Sequence, residues 1–182
     1  MTLFGIADDE PEIYVNRDVL KDRYHPDEIV GRDREKRELR NSLRPVLRGT
    51  GSPDNVFISG PTGVGKTALT RNAMEQVDTD RELDVEVLWL NCQSIPGETT
   101  LMLEIANRFR ESGNKLATRG YDYNQARDRL FAELEKVESG TLLIVLDELD
   151  TVEIQDQLLY HLPRAHEHGT DVEVGVVSIS NK

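Results

Sequence analysis

From residue 56 to the end of the chain, short apolar runs alternate with stretches in which apolar residues recur at helical spacing. The runs are residues 56–58, VEVLWLN at 85–91, residues 142–146 and DVEVGVVSIS at 171–180, and each reads as a strand. Between them, Leu69, Ala73 and Val77 share one helical face, as do Met102, Ile105, Ala106 and Phe109, and then Ala126, Leu130, Leu134 and Val137. The run at 142–146 is continuously apolar between Gly140 and Asp147, the pattern of a central parallel strand covered on both faces. Strands alternating with helices predict a doubly wound parallel α/β sheet with right-handed crossovers.

Upstream, Leu39, Leu43, Val46 and Leu47 predict an amphipathic helix within 32–47, bent at Pro45 and ended by Gly49. Residues 1–30 have little periodicity and are expected to form an arm on a single domain at 31–182. The segment ESGNKLATRGYDYN at 111–124 is a polar connection, Trp89 alternates into the core, and Cys92 is read as a small packed residue.

A chain of 182 residues buries one substantial core without disulfides, and its single cysteine suits a reducing cytoplasm. No apolar run approaches the ~18 residues of a membrane span, and the start MTLFGIADDEPE is too acidic for a signal peptide. The balance of 22 Lys plus Arg against 34 Asp plus Glu gives a net charge of −12. Such a surface repels phosphate backbones and argues against tight nucleic-acid binding by this chain. It reads either as a solvating surface or as adaptation to a salt-loving organism's cytoplasm.

Candidate chemistry sits at the ends of the predicted strands. Gly60, Pro61, Thr62, Gly63, Val64, Gly65, Lys66 and Thr67, followed by Ala68, satisfy G-x-x-x-x-G-K-[ST] between a strand and a helix. In that context the glycines let backbone N–H groups surround phosphates, Lys66 reaches the β- and γ-phosphates, and Thr67 ligates Mg²⁺. A chance glycine-rich turn is the plainer alternative. Asp147 and Glu148 end the buried strand, where carboxylates are unfavourable unless they meet a metal or a reacting water. Asp147 is read as a Mg²⁺ ligand through water, and Glu148 as the group that orients and deprotonates the attacking water. Without the glycine-rich loop, both would read as solvated acids capping the next helix. Asn181, at the carboxyl end of the last strand, either leans toward the γ-phosphate or is an ordinary turn residue. His161, His166 and His168 match no zinc spacing and are read as solvated helix-end histidines.

The segments GPTGVGKTA (60–68), NC (91–92), LDELD (146–150), LLYHLPRA (158–165) and SISN (178–181) closely resemble the archaeal origin-recognition and replication-initiator family of AAA+ ATPases. The lead-in LKDRYHPDEIVGRDREKREL at 20–39 is similar to that family's segment before the first strand. The resemblance implies a three-layer P-loop α/β fold with sheet order 5-1-4-3-2, and an adenine border at Ile29, Val30 and Arg32. It also implies ATP or ADP with Mg²⁺ as ligands, Asn181 as first sensor, and a helical insertion within 93–125 that touches origin DNA through Lys115, Arg119 and Tyr121. Origin DNA, a replicative helicase and other initiator subunits are the implied partners, in a nucleoid-associated cytoplasmic setting. A membrane is not among them.

The fifth strand, a neighbour-directed arginine, a helical lid and a winged-helix domain are expected in that family beyond the last residue here. The 182-residue chain by itself is therefore expected to expose its first strand as an edge, to associate without nucleotide, and to turn over ATP slowly. Two rival readings stay open: a signal-transducing P-loop ATPase that does not act on DNA, and a non-catalytic remnant.

Overall fold

The computed structural model describes residues 29–48, 53–80, 82–153 and 157–182. Nearly all of the arm expected at 1–30, and the helix stop expected at Gly49, lie outside them. The first helical stretch is two pieces, α1 (Asp33–Ser42) and α2 (Arg44–Leu47). Pro45 enforces the break, because its ring crowds the carbonyl one turn earlier and it has no N–H to donate. Three members of the apolar stripe, Leu39, Leu43 and Val46, are buried across the break, whereas the fourth, Leu47, is exposed at the end of α2.

The remaining elements run β1 (Val56–Ser59), α3 (Lys66–Thr79), β2 (Val85–Asn91), α4 (Glu98–Arg108), α5 (Tyr123–Leu134), β3 (Thr141–Asp147), α6 (Gln157–His161) and β4 (Glu173–Ser180). The four strands form one parallel sheet in the order β1-β4-β3-β2. This is the expected 1-4-3-2 succession.

Alternation along β3 divides the core into two layers. Leu142, Ile144 and Leu146 pack with Leu101, Met102 and Leu130 on the side of α4 and α5. Leu143 and Val145 pack with Leu39, Leu69 and Val77 on the side of α1 and α3. Residues 142–146 are fully buried, as a strand covered on both faces must be. Trp89 is half-buried on the α3 side, with the Arg71 guanidinium 4.6 Å from its ring centroid. Among the described residues β1 and β2 are the sheet edges, and Phe57 on β1 is 66% exposed.

Within 93–125, where a helical insertion is expected, the structure holds α4, one 3₁₀ turn and the start of α5, and no further helix. The connection from β2 to β3 carries two mutually packed helices, α4 and α5, joined by a loop whose only helical feature is the 3₁₀ turn Ser112–Asn114. Asn107 fastens that loop by donating to Leu116 O at 3.0 Å and accepting from Leu116 N at 2.7 Å. Val137, read as the last member of the α5 stripe, lies beyond the helix but still packs on the core.

Gly175 in β4 lies directly under Pro53. A Cβ there would stand 2.2 Å from Pro53 Cγ and 3.0 Å from Leu143 Cδ2. Gly175→Ala is therefore expected to destabilise the fold by about 1–3 kcal/mol through overpacking, seen as a lower midpoint in thermal unfolding.

Candidate nucleotide site

Parallel pairing brings three strand ends to one edge. Ser59 at the end of β1 pairs with Ser180 at the end of β4, and Leu146 of β3 pairs with Ser178. The glycine-rich loop after β1, Asn181 after β4, and Asp147 with Glu148 at the end of β3 are neighbours for that reason alone. Ligands of open α/β sheets bind at this edge.

Gly63 and Gly65 have φ of 81° and 89°, in the left-handed region that disfavours side chains. Gly65 is also the N-cap of α3, and its carbonyl accepts the Leu69 N–H at 2.9 Å, so the helix begins directly from the loop. Residues 61–65 are exposed, which leaves their backbone accessible beside the positive end of a 14-residue helix.

Lys66 is buried, and its ammonium donates to Gly60 O at 2.7 Å, Pro61 O at 2.9 Å and Asn181 Oδ1 at 2.9 Å. Two carbonyls and an amide oxygen thus hold a cation in the mouth of the loop, where phosphate oxygens would be stronger acceptors. The Thr67 hydroxyl donates to Asp147 Oδ1 at 3.2 Å. That oxygen also accepts the Glu148 N–H at 3.0 Å, and Asp147 is buried. A hydroxyl and a carboxylate side by side form the hard-oxygen donor set that suits Mg²⁺, which takes one or two protein ligands and fills its shell with water and phosphate.

Glu148 has φ 56° and ψ 39°, the only positive φ outside glycine among the described residues. A left-handed Glu costs roughly 1–2 kcal/mol, and the surroundings hold it there. The Thr151 hydroxyl lies 2.8 Å from Glu148 O and 3.0 Å from Cys92 O, which ties the turn back to the end of β2. Cys92 is fully buried, and its thiol is pushed up to about 12 by burial and then by the charges of Asp147 and Glu148, which disfavours the nucleophilic thiolate.

Ahead of the loop, Arg32 donates to Val64 O at 2.7 Å and to Glu35 at 2.9 Å. The segment expected to border adenine therefore touches the glycine-rich loop, with Lys36 holding Ile29 O from α1. Val30 is 85% exposed at this point. Of the expected DNA contacts, Lys115 and Arg119 are exposed, whereas Tyr121 packs partly against the core.

The histidines correct one expectation. His166 is exposed, but His168 stacks on Phe131 at 4.0 Å and lies 3.3 Å from His161. Gly169 at φ 89° ends the 3₁₀ stretch Leu162–His168, which folds the chain so that residues seven apart meet. Burial first, then His161 and Arg127, hold the His168 imidazole below its usual range, opposed by Glu167 and Asp128. A depressed histidine contributes stability that is fully present above the unfolded value of about 6.5 and lost as pH falls through the folded value. The midpoint of thermal unfolding should therefore fall more between pH 7 and 5 in the wild-type chain than in His168→Gln.

Sequence reading missed Asp150 and Thr151. The Asn181 N–H donates to Asp150 Oδ1 at 2.9 Å. The third acid of LDELD was the available signal.

Loop, buried lysine and strand-end acids on this sheet order define a P-loop α/β fold of the AAA+ type. The sequence model of the AAA ATPase domain family matches residues 28–177, and the chain belongs to that family. The chain is 39% identical over 175 residues to ORC1-type DNA replication protein 15 of Haloarcula marismortui, covering 93% of this chain and 42% of that protein. It is 41% identical over 181 residues to ORC1-type DNA replication protein 8 of Halobacterium salinarum, of which it covers 45%. The chain thus spans less than half the length of these relatives. Among solved structures, the Aeropyrum pernix ORC1 protein in complex with DNA superposes with a TM-score of 0.71 at 27% identity, over 90% of this chain and 42% of that one. No helix among the described residues is long and apolar enough to cross a membrane.

Proposed function

We propose that this chain is the nucleotide-binding ATPase part of a DNA replication initiator, in which bound ATP or ADP sets the geometry for origin recognition. The observation that carries the reading is the convergence on Lys66 of the loop carbonyls and Asn181, beside the Thr67–Asp147 pair. Lys66 and the N–H groups of residues 60–68 bind the phosphates, and residues 29–32 border the base. Thr67 and Asp147 hold Mg²⁺, which when bound neutralises phosphate charge. Glu148 orients the attacking water and takes its proton, while Asn181 faces the γ-phosphate. The ORC1-type relatives and the DNA-bound neighbour support the initiator assignment. Origin DNA, a replicative helicase and other initiator subunits are the proposed partners in a cytoplasmic, nucleoid-associated setting. The net charge of −12 and the source of the relatives support a salt-rich one.

DNA binding by these 182 residues is expected to be weak, sequence-tolerant and salt-sensitive, since the acidic surface opposes it and Lys115 and Arg119 are the proposed contacts. Fluorescence anisotropy with a labelled duplex at several salt concentrations measures this. Replacing both residues by alanine should shrink the log–log salt slope by about 2. Tight sequence-selective binding would contradict the proposed contacts.

A further inference from the structure

Asn181 follows the last paired residue of β4, Ser180, so no strand neighbour accepts its N–H within the ladder. The acceptor is Asp150 Oδ1 at 2.9 Å. Asp150 belongs to the 3₁₀ turn Leu149–Thr151, which starts at the left-handed Glu148 and is fastened to Cys92 O by Thr151. Lys182 adds a second tie, with its Nζ 3.4 Å from Asp150 O. The Asn181 side chain in turn accepts from Lys66 at 2.9 Å. A continuous chain of contacts therefore runs from the turn carrying Glu148, through Asp150 and Asn181, to the lysine of the phosphate loop.

We infer that Asp150 is a positioning residue that sets Asn181 against Lys66, so that the site distinguishes a triphosphate from a diphosphate. The inference rests on the nucleotide site proposed above. With its Oδ1 occupied by Lys66, Asn181 has its two Nδ2 hydrogens left as donors for a terminal phosphate oxygen or the attacking water. Without the Asp150 carboxylate, the Asn181 N–H loses its acceptor and the side chain its fixed starting point. The backbone donors of the loop and the helix end, which serve the inner phosphates, do not depend on that bond. Asp150 thus affects the third phosphate selectively.

Calorimetric titration of the 182-residue chain with Mg²⁺·ADP and with a Mg²⁺-bound non-hydrolysable ATP analogue tests this. In Asp150→Ala the ADP affinity should stay within about twofold of wild type. The analogue-to-ADP preference should drop about tenfold, the size expected for one hydrogen bond to a charged group. Asp150→Asn keeps an Oδ1 acceptor and should restore the wild-type preference. Asn181→Ala should show the same loss as Asp150→Ala, and combining the two should add nothing. An unchanged preference in Asp150→Ala, additive losses, or an Asn variant as impaired as the Ala variant would each overturn the inference. Equal loss of ADP affinity would also overturn it, by making Asp150 a structural residue. A wild-type chain that bound neither nucleotide would instead overturn the proposed site, and this inference with it.

Discussion

Lys66→Ala is expected to weaken Mg²⁺·ATP binding by at least about a hundredfold. The ammonium makes three hydrogen bonds, to Gly60 O, Pro61 O and Asn181 Oδ1. Phosphate oxygens compete for the same donors with full negative charge, and hydrogen bonds to charged groups are worth about 1.5–3 kcal/mol each. Losing even two such bonds exceeds the ~2.7 kcal/mol that a hundredfold represents. The fold should survive, because the lysine spans its own loop and Asn181 without bridging the two halves of the core. Circular dichroism and calorimetry on the same sample separate the two effects. Affinity within threefold of wild type would remove Lys66 from the phosphate site.

Glu148→Gln is expected to leave nucleotide binding near wild type while lowering whatever steady-state phosphate release the chain sustains by roughly a hundredfold or more, the range for a general base. Glutamine is nearly isosteric, so the left-handed backbone at φ 56° and its Thr151 ties have no new reason to relax. Only the proton acceptor is lost. Turnover unchanged in this variant would move the base elsewhere, and loss of binding together with turnover would make Glu148 a binding residue.

The strands were readable because β3 needs a continuous apolar run and β2 alternates with it; the reading of 85–91 matches β2, and 142–146 falls one residue inside β3 at each end. The glycine-rich loop was readable for a chemical reason: left-handed positions before a helix demand glycine, and Lys66 with Thr67 follow at fixed spacing. The sheet order came from the resemblance, since nothing local tells β1 to pair with β4. What stayed hidden depends on long-range contact. The stacking of His168 on Phe131 requires the 3₁₀ stretch Leu162–His168 to pack back onto α5. The close approach of Pro53 to Gly175 joins residues far apart in sequence. Asp150 was assigned no role, because its partner, the Asn181 N–H, comes into reach only once β3 and β4 are side by side.

The most direct measurement is isothermal titration of Mg²⁺·ATP and Mg²⁺·ADP into the wild-type 182-residue chain. The account predicts saturable binding of each at one site per chain, lost in Lys66→Ala and weakened for ATP when Mg²⁺ is chelated. A folded wild-type chain that releases no heat with either nucleotide and fails to protect a fluorescent ATP analogue from competition would contradict it.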